Sequence, residues 1–289
     1  MKSNAKHSVT MAVINPSVAN TVFGIADFGG DANTVLRSLC SALLSVVIWS
    51  AVTARFGIPT SESHALISGI TGAAIATKMS LEAINLTEWR AVLIGLFMST
   101  IPTTLLAFML YRLTLRVFAN QNRRSVMQYF LRAQKLSACC GAFMHGAQDS
   151  QKFMGVYLLG MSALSAGGDG EITRLPIHVV LICASTMTLG TLMGGMRIIK
   201  KVGQDMTALD SAGGSAADTA SSAVMAVCSF FGIPAATTQA KTCAMMGVGM
   251  SRRNGTNPKI AAELFAAWIL TFPICGAIGF ILSYISMLG

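Results

Sequence analysis

The chain has 289 residues, of which 53% are apolar and only 11% are Asp, Glu, Lys or Arg, against about a quarter charged in ordinary soluble domains. So little charge cannot cover a soluble fold of this size, and so much aliphatic surface excludes a disordered one. The net charge of +9 would suit nucleic acid, but the basic residues lie in short clusters between apolar runs, as in loops at a membrane surface; the composition reads as an all-α, multi-pass protein of the plasma membrane with no nucleic-acid partner.

Near the start, the apolar piece Val9 to Ile14 is short and is stopped by Pro16, which is not a secretory signal. Leu36 to Thr53 is a first run with the length of a membrane crossing, about 20 residues. It leads into Phe56-Gly57-Ile58-Pro59, beyond which a second apolar piece begins. Two apolar pieces joined by such a turn predict a re-entrant helical hairpin. Trp89 to Tyr111 is the next run, with Pro102 inside it. A basic stretch from Arg112 to Lys135 follows, and no acid occurs between Arg90 and Gln148. Residues 137–165 could span, but His145, Gln148, Asp149, Gln151 and Lys152 interrupt them, which predicts a broken helix. Pro176 to Met196 crosses back to a second basic cluster, Arg197, Lys200 and Lys201. A second hairpin turns at Phe231-Gly232-Ile233-Pro234, with Arg252, Arg253 and Lys259 after it. Ile260 to Leu288, containing Pro273, closes the chain. None of the seven cysteines lies in a CxxC pair, so neither a metal centre nor a disulfide framework is indicated.

The two turns expose an internal repeat. A shift of 175 lays Phe56–Pro59 on Phe231–Pro234, Ser63 on Thr238, Ala65 on Ala240 and Gly72 on Gly247; with a small gap, Pro102 falls on Pro273. The chain divides into a first, incomplete repeat (1–118), a basic cytoplasmic connector (119–136) and a second repeat (137–289), forming one transmembrane domain. With the connector in the cytoplasm, the first hairpin opens outward and the second inward. Inverted-topology repeats with re-entrant hairpins are an architecture of secondary transporters.

Each turn is followed by hydroxyls at the start of a helix: Thr60, Ser61 and Ser63, then His64, in the first; Thr237 and Thr238, then Gln239, in the second. Free N–H groups and the positive end of the helix dipole suit an oxyanion there. The alternative is plain N-capping. Asp149 lies four residues from His145 and three from Lys152, on one helix face. Either Asp149 and Lys152 satisfy each other, or Asp149 and Gln148, with carbonyls freed by a helix break, hold a cation. Lys241 is placed to contact an anion and Glu62 a cation, or each pairs locally. A Ser63–His64–Asp149 hydrolase is disfavoured because adjacent residues point to different helix faces, so no enzyme is expected.

Three stretches carry a family resemblance: GIPTSESHALISGITG (57–72), HGAQDSQKFMG (145–155) and GIPAATTQAKTCAMMGVG (232–249). They resemble the two hairpins and the second-repeat helix break of the PiT family of inorganic phosphate transporters. The resemblance covers nearly the whole chain from about Val18. It implies cation-coupled symport of inorganic phosphate by alternating access, usually driven by Na⁺ with H⁺ as the other coupling ion, in a homodimer, without further cofactors. Carried over, phosphate contacts Ser61, Ser63, His64, Thr237, Thr238 and Lys241, and the cation contacts Asp149, Gln148 and Glu62. Gln239 departs from a common His and Glu62 from a common hydroxyl. The first-half counterpart of Asp149, about 85 residues before Pro59, would fall upstream of Met1, so the first broken helix is expected to be missing. The alternatives are a sulfate permease and a truncated, non-transporting membrane subunit.

Overall fold

A computed structural model describes residues 17–29, 31–164, 177–193, 200–252 and 255–288, with the side chains of 123–125, 191–193 and 204 left aside. The Val9–Ile14 piece, Arg197 and Arg253 lie outside the described residues. The helices are α1 (Ser17–Phe23), α2 (Ala32–Arg55), α3 (Glu62–Lys78), α4 (Leu86–Val117), α5 (Arg123–Leu164), α6 (Ile177–Met193), α7 (Ser211–Phe230), α8 (Thr237–Met250) and α9 (Pro258–Leu288). A 3₁₀ turn at Leu81–Ala83 and a π-helical turn at Lys201–Met206 join them. Among the described residues there is no strand, only an isolated bridge between Ala26 and Ile84. By length and composition α2, α4 and α9 can each cross a membrane.

The Phe-Gly-Ile-Pro units work as helix stops. In the first, Gly57 has φ 64°, its N–H bonds the Ala54 carbonyl at 3.1 Å, and Ile58 N–H bonds the Thr53 carbonyl at 2.9 Å. In the second, Gly232 has φ 69°, with Gly232 N–H on Ser229 O at 3.3 Å and Ile233 N–H on Cys228 O at 2.8 Å. Both are Schellman closures, which need a residue tolerant of the left-handed region, and Pro follows because it cannot continue the helix. At their other ends α2 and α7 are capped alike: Asp31 accepts from Thr34 N at 3.2 Å and Asp210 from Gly213 N at 2.7 Å. A basic residue closes each hairpin at its far end. Lys78 at the end of α3 pairs with Asp27 at 2.5 Å. Arg252, just beyond α8, bonds Asp210 and the Ala208 carbonyl, reaches Tyr111 Oη at 3.0 Å and lies over the Tyr111 ring.

The two hairpins are exchanged between the halves. The second arm of the first hairpin, α3, lies along α9, and the second arm of the other, α8, lies along α4. The contacts are backbone to backbone. A Cβ on Gly72 would stand 2.0 Å from the Gly276 carbonyl oxygen, and one on Gly247 would stand 2.2 Å from that of Thr104. Only glycine admits such approach. The sequence halves therefore interlock within one packed body.

Helix α4 shows how the chain sorts its residues. Val92, Gly95, Ser99, Thr103, Ala107 and Tyr111, three or four apart, are buried. Leu93, Phe97, Ile101, Leu105, Met109 and Leu113, also four apart, are exposed. Large apolar side chains face outward and small or hydroxylated ones inward, the pattern of a helix immersed in lipid. Pro102 removes the N–H that would bond the Met98 carbonyl, and Thr103 Oγ1 donates to that carbonyl instead at 2.9 Å. Hydroxyl rescue of this kind is how membrane helices tolerate proline.

One sequence expectation is corrected. Residues 145–152 do not break a helix: α5 is a continuous α-helix of 42 residues and takes in the basic connector from Arg123 onward. Gln148, Asp149 and Lys152 in its middle are satisfied by side chains of the same helix and by neighbouring elements, and the helix stays continuous through them. Gly146 is the weakest helix former among residues 145–152, and a lone glycine costs about 1 kcal/mol, too little to open a packed helix.

Gly72→Ala should lower stability by at least about 1–3 kcal/mol, because the neighbour that must yield is backbone. Gly190→Ala, with nothing within 4 Å of the new Cβ, should not lower it and should raise it by up to about 1 kcal/mol, the helix propensity gained. Thermal unfolding of the two purified variants in detergent measures the difference.

Candidate functional site

The middle of α5 meets both hairpin turns at Lys152, whose side chain is 2% exposed. Its ammonium has three N–H donors and all three are engaged. They reach Asp149 Oδ1 at 2.8 Å, Ser63 Oγ at 2.6 Å and the Ala235 carbonyl at 2.6 Å. The acceptors come from α5 itself, the start of α3 and the link before α8. Lys152 thus ties the two hairpins to the central helix.

Asp149 is equally committed. Its Oδ2 accepts from Thr237 Oγ1 at 2.9 Å and lies 3.2 Å from His145 Nε2. His145 is more than a third exposed, so this end of the network opens outward. Gln148 is fully buried and holds the second turn: its amide donates to Ser229 Oγ at 2.9 Å, Met225 O at 3.3 Å and Ile233 O at 3.4 Å, and its Oε1 accepts from Ala235 N at 3.3 Å. The next N–H, of Ala236, donates to Ser99 Oγ of α4 at 3.0 Å.

The two helix starts are treated differently. Ser61 caps α3, accepting from His64 N at 3.4 Å. No side chain caps α8, although Thr237 and Gln239 at its start are buried. His64 and Gln239 occupy matching repeat positions and are both buried. The His64 ring stacks on Phe272, centroids 4.5 Å apart; its nitrogens make no hydrogen bond of good geometry, although the Trp268 backbone lies nearby. Gln239 Oε1 and Gln151 Oε1 are also buried without partners. Buried polar groups normally find partners, so these unpaired atoms leave hydrogen-bonding capacity at the starts of α3 and α8 and in α5.

The remaining residues lie further out. Thr238 is half-buried beside Thr237. Glu62 opens α3; its side chain is exposed although protein surrounds it on most sides, as befits a residue lining an opening, and it lies within electrostatic range of Asp149 and Lys152. Lys241, one turn along α8, pairs with Asp218 of α7. The structure thus brings Ser63, Thr237, Asp149 and Gln148 to one point, with Ser61, His64 and Thr238 beside it, and engages Lys241 elsewhere. Sequence reasoning left Lys152 as one partner in a local pair and passed over Ser99, Ser229, Phe272 and the Ala235 carbonyl. The regular spacing of Ser99 in a buried stripe was the one available signal. Among the described residues, no three His, Cys, Asp or Glu gather to hold a metal ion.

Asp149→Asn leaves the Lys152 charge buried without its counter-ion and should destabilise the protein by about 3–5 kcal/mol. The double variant D149N/K152M should recover much of that loss. Denaturation of wild type and both variants in one detergent measures it.

Comparisons with known proteins fit this geometry. Residues 7–279 match the model of a family described as the phosphate transporter family. A Bacillus subtilis protein named "probable low-affinity inorganic phosphate transporter" is 32% identical over an alignment of 288 positions that covers 95% of this chain and 85% of that one. A Mycobacterium bovis protein of the same name is 33% identical over 260 residues, covering 86% of this chain and 60% of its own length; the chain spans less than two thirds of that relative. A solved structure titled "The sodium-dependent phosphate transporter" shares the fold, with a TM-score of 0.84 over 96% of this chain and 88% of the other at 18% identity. The chain, a membrane-embedded multi-pass protein, belongs to the phosphate transporter family, whose named members are transport proteins rather than enzymes.

Proposed function

We propose that this protein carries inorganic phosphate across the membrane by alternating access, coupled to a cation, with the anion held between the two hairpin turns. The observation that carries this reading is the buried, uncapped start of α8 beside the Lys152 ammonium. An uncapped helix start has N–H groups that need an acceptor, and its dipole favours an anion. Ser63, whose oxygen accepts from Lys152, has its own proton to offer, and the Thr237 hydroxyl can turn to the anion from Asp149, to which it otherwise donates; His64 and Gln239 hold matching positions in the two repeats. A tetrahedral oxyanion has enough acceptors for such a set. Ser61 and Thr238 complete the hydroxyl ring, while Lys241, held by Asp218, contributes positive charge from further along α8.

The exchanged hairpins support alternating access. Each hairpin's second arm is bound by close backbone contact to the long helix of the other half, so it moves with that helix. A rocking of the halves would open the point where the turns meet first to one side and then to the other, as in transporters built from repeats.

The purified chain in proteoliposomes should accumulate labelled phosphate above protein-free controls; no accumulation overturns the reading and favours a non-transporting subunit. Ser63→Ala and Thr237→Ala should each weaken uptake by roughly tenfold or more, the effect of losing one hydrogen bond to a charged group, about 1.5–3 kcal/mol. Excess unlabelled sulfate should leave phosphate uptake intact. Equal competition by sulfate would redefine the cargo as either tetrahedral anion.

A further inference from the structure

We infer that the Lys152 ammonium is a tethered cation: it fills the coordination position that a free sodium ion would take beside the anion, so that phosphate uptake by this chain is independent of sodium. The transport side of this inference rests on the phosphate reading above.

The ligand set makes the case. Lys152 Nζ is surrounded by a carboxylate oxygen, a hydroxyl oxygen and a main-chain carbonyl oxygen, at 2.8, 2.6 and 2.6 Å. These are the hard oxygen donors that alkali and alkaline-earth cations select. The carbonyl belongs to the non-helical link before α8, and unwound backbone at the centre of a transporter is where coupling cations are bound. The ammonium carries the same single positive charge as Na⁺, and its three N–H vectors match three acceptors.

The oxygens of Asp149 and Gln148 are already taken. Asp149 Oδ2 serves Thr237 and His145, and Gln148 Oε1 accepts from Ala235 N. A sodium ion arriving here would find both Asp149 oxygens engaged and would meet a positive charge at the centre of the site. Lys152 is attached to α5 three residues from Asp149 and cannot leave with the cargo. Its charge therefore stays with the protein through the cycle, whereas a free ion would cross the membrane.

Two arms test this. In the first, wild-type protein in detergent is melted in sodium chloride and in choline chloride of equal ionic strength. No sodium-specific shift is expected, and a sodium-specific rise in Tm overturns the inference. Lys152→Ala, which uncovers the three oxygens, should gain a sodium-specific rise by mass action; a folded K152A indifferent to sodium also overturns it. If K152A yields no folded protein, the wild-type melt still decides. In the second arm, the ratio of phosphate uptake in sodium to that in choline should be about one, because a ligand without a site shifts no equilibrium. Uptake that requires sodium overturns the inference. Absence of uptake in both media would defeat the phosphate reading alone, since the melting arm does not depend on transport.

Discussion

A primary ammonium enclosed in a membrane protein must find acceptors for three N–H groups and a counter-charge, and the centre of this molecule is arranged around that need at Lys152. Its partners come from the same helix, from the start of α3 and from the link before α8. No two of these three segments could solvate the charge alone. Solvation is complete only when α5 and both hairpins are in place, so assembly of the fold and burial of the charge are one event. Buried ion pairs are often no more stabilising than an apolar pair of similar volume. The presence of Lys152 and Asp149 here is better explained by what they do at the junction than by what they add to stability.

Around this centre the packing is made from small and hydroxylated residues. Many of the hydroxyls satisfy themselves: Ser68, Thr71 and Ser99 each donate to the carbonyl four residues earlier, at 2.6, 2.8 and 2.7 Å. They therefore bring polarity without unmet demand, and their size lets backbones touch. Ser99 does a second task, accepting from Ala236 N, and so joins α4 to the second turn. Where lipid provides no hydrophobic force between helices, such close contact and hydrogen bonding supply the cohesion.

Much of this was legible in the sequence, for identifiable reasons. The twice-occurring Phe-Gly-Ile-Pro marked two helix stops because a Schellman closure needs glycine and proline at fixed places. The Pro102 and Pro273 runs read correctly as long apolar helices. Ser63 and Thr237 stood out as hydroxyls at the two helix starts, and Asp149 and Gln148 as polar residues in costly positions, and the four converge. What stayed hidden has no signature in side-chain identity. The Ala235 carbonyl is a backbone atom, and Ser99 meets Ala236 across 137 residues. The polar stretch of α5 was read as a break because an Asp149–Lys152 pair alone leaves Gln148 and the rest of the ammonium unsatisfied; those partners come from the hairpins, far along the chain.

The exchange of hairpins also bears on how the protein is made. Helix α3 ends at Lys78, yet α9, along which it lies, begins only at Pro258. At about 5–20 residues per second, the ribosome needs roughly ten to forty seconds to supply the missing surface. During that interval Gly72 has no backbone to rest on, and Ser63 waits for a lysine not yet synthesised. The early hairpin must therefore be sheltered, by insertion machinery or by provisional contacts, until α9 arrives; synthesis of α9, rather than insertion of any earlier segment, sets the moment at which the native membrane body can form.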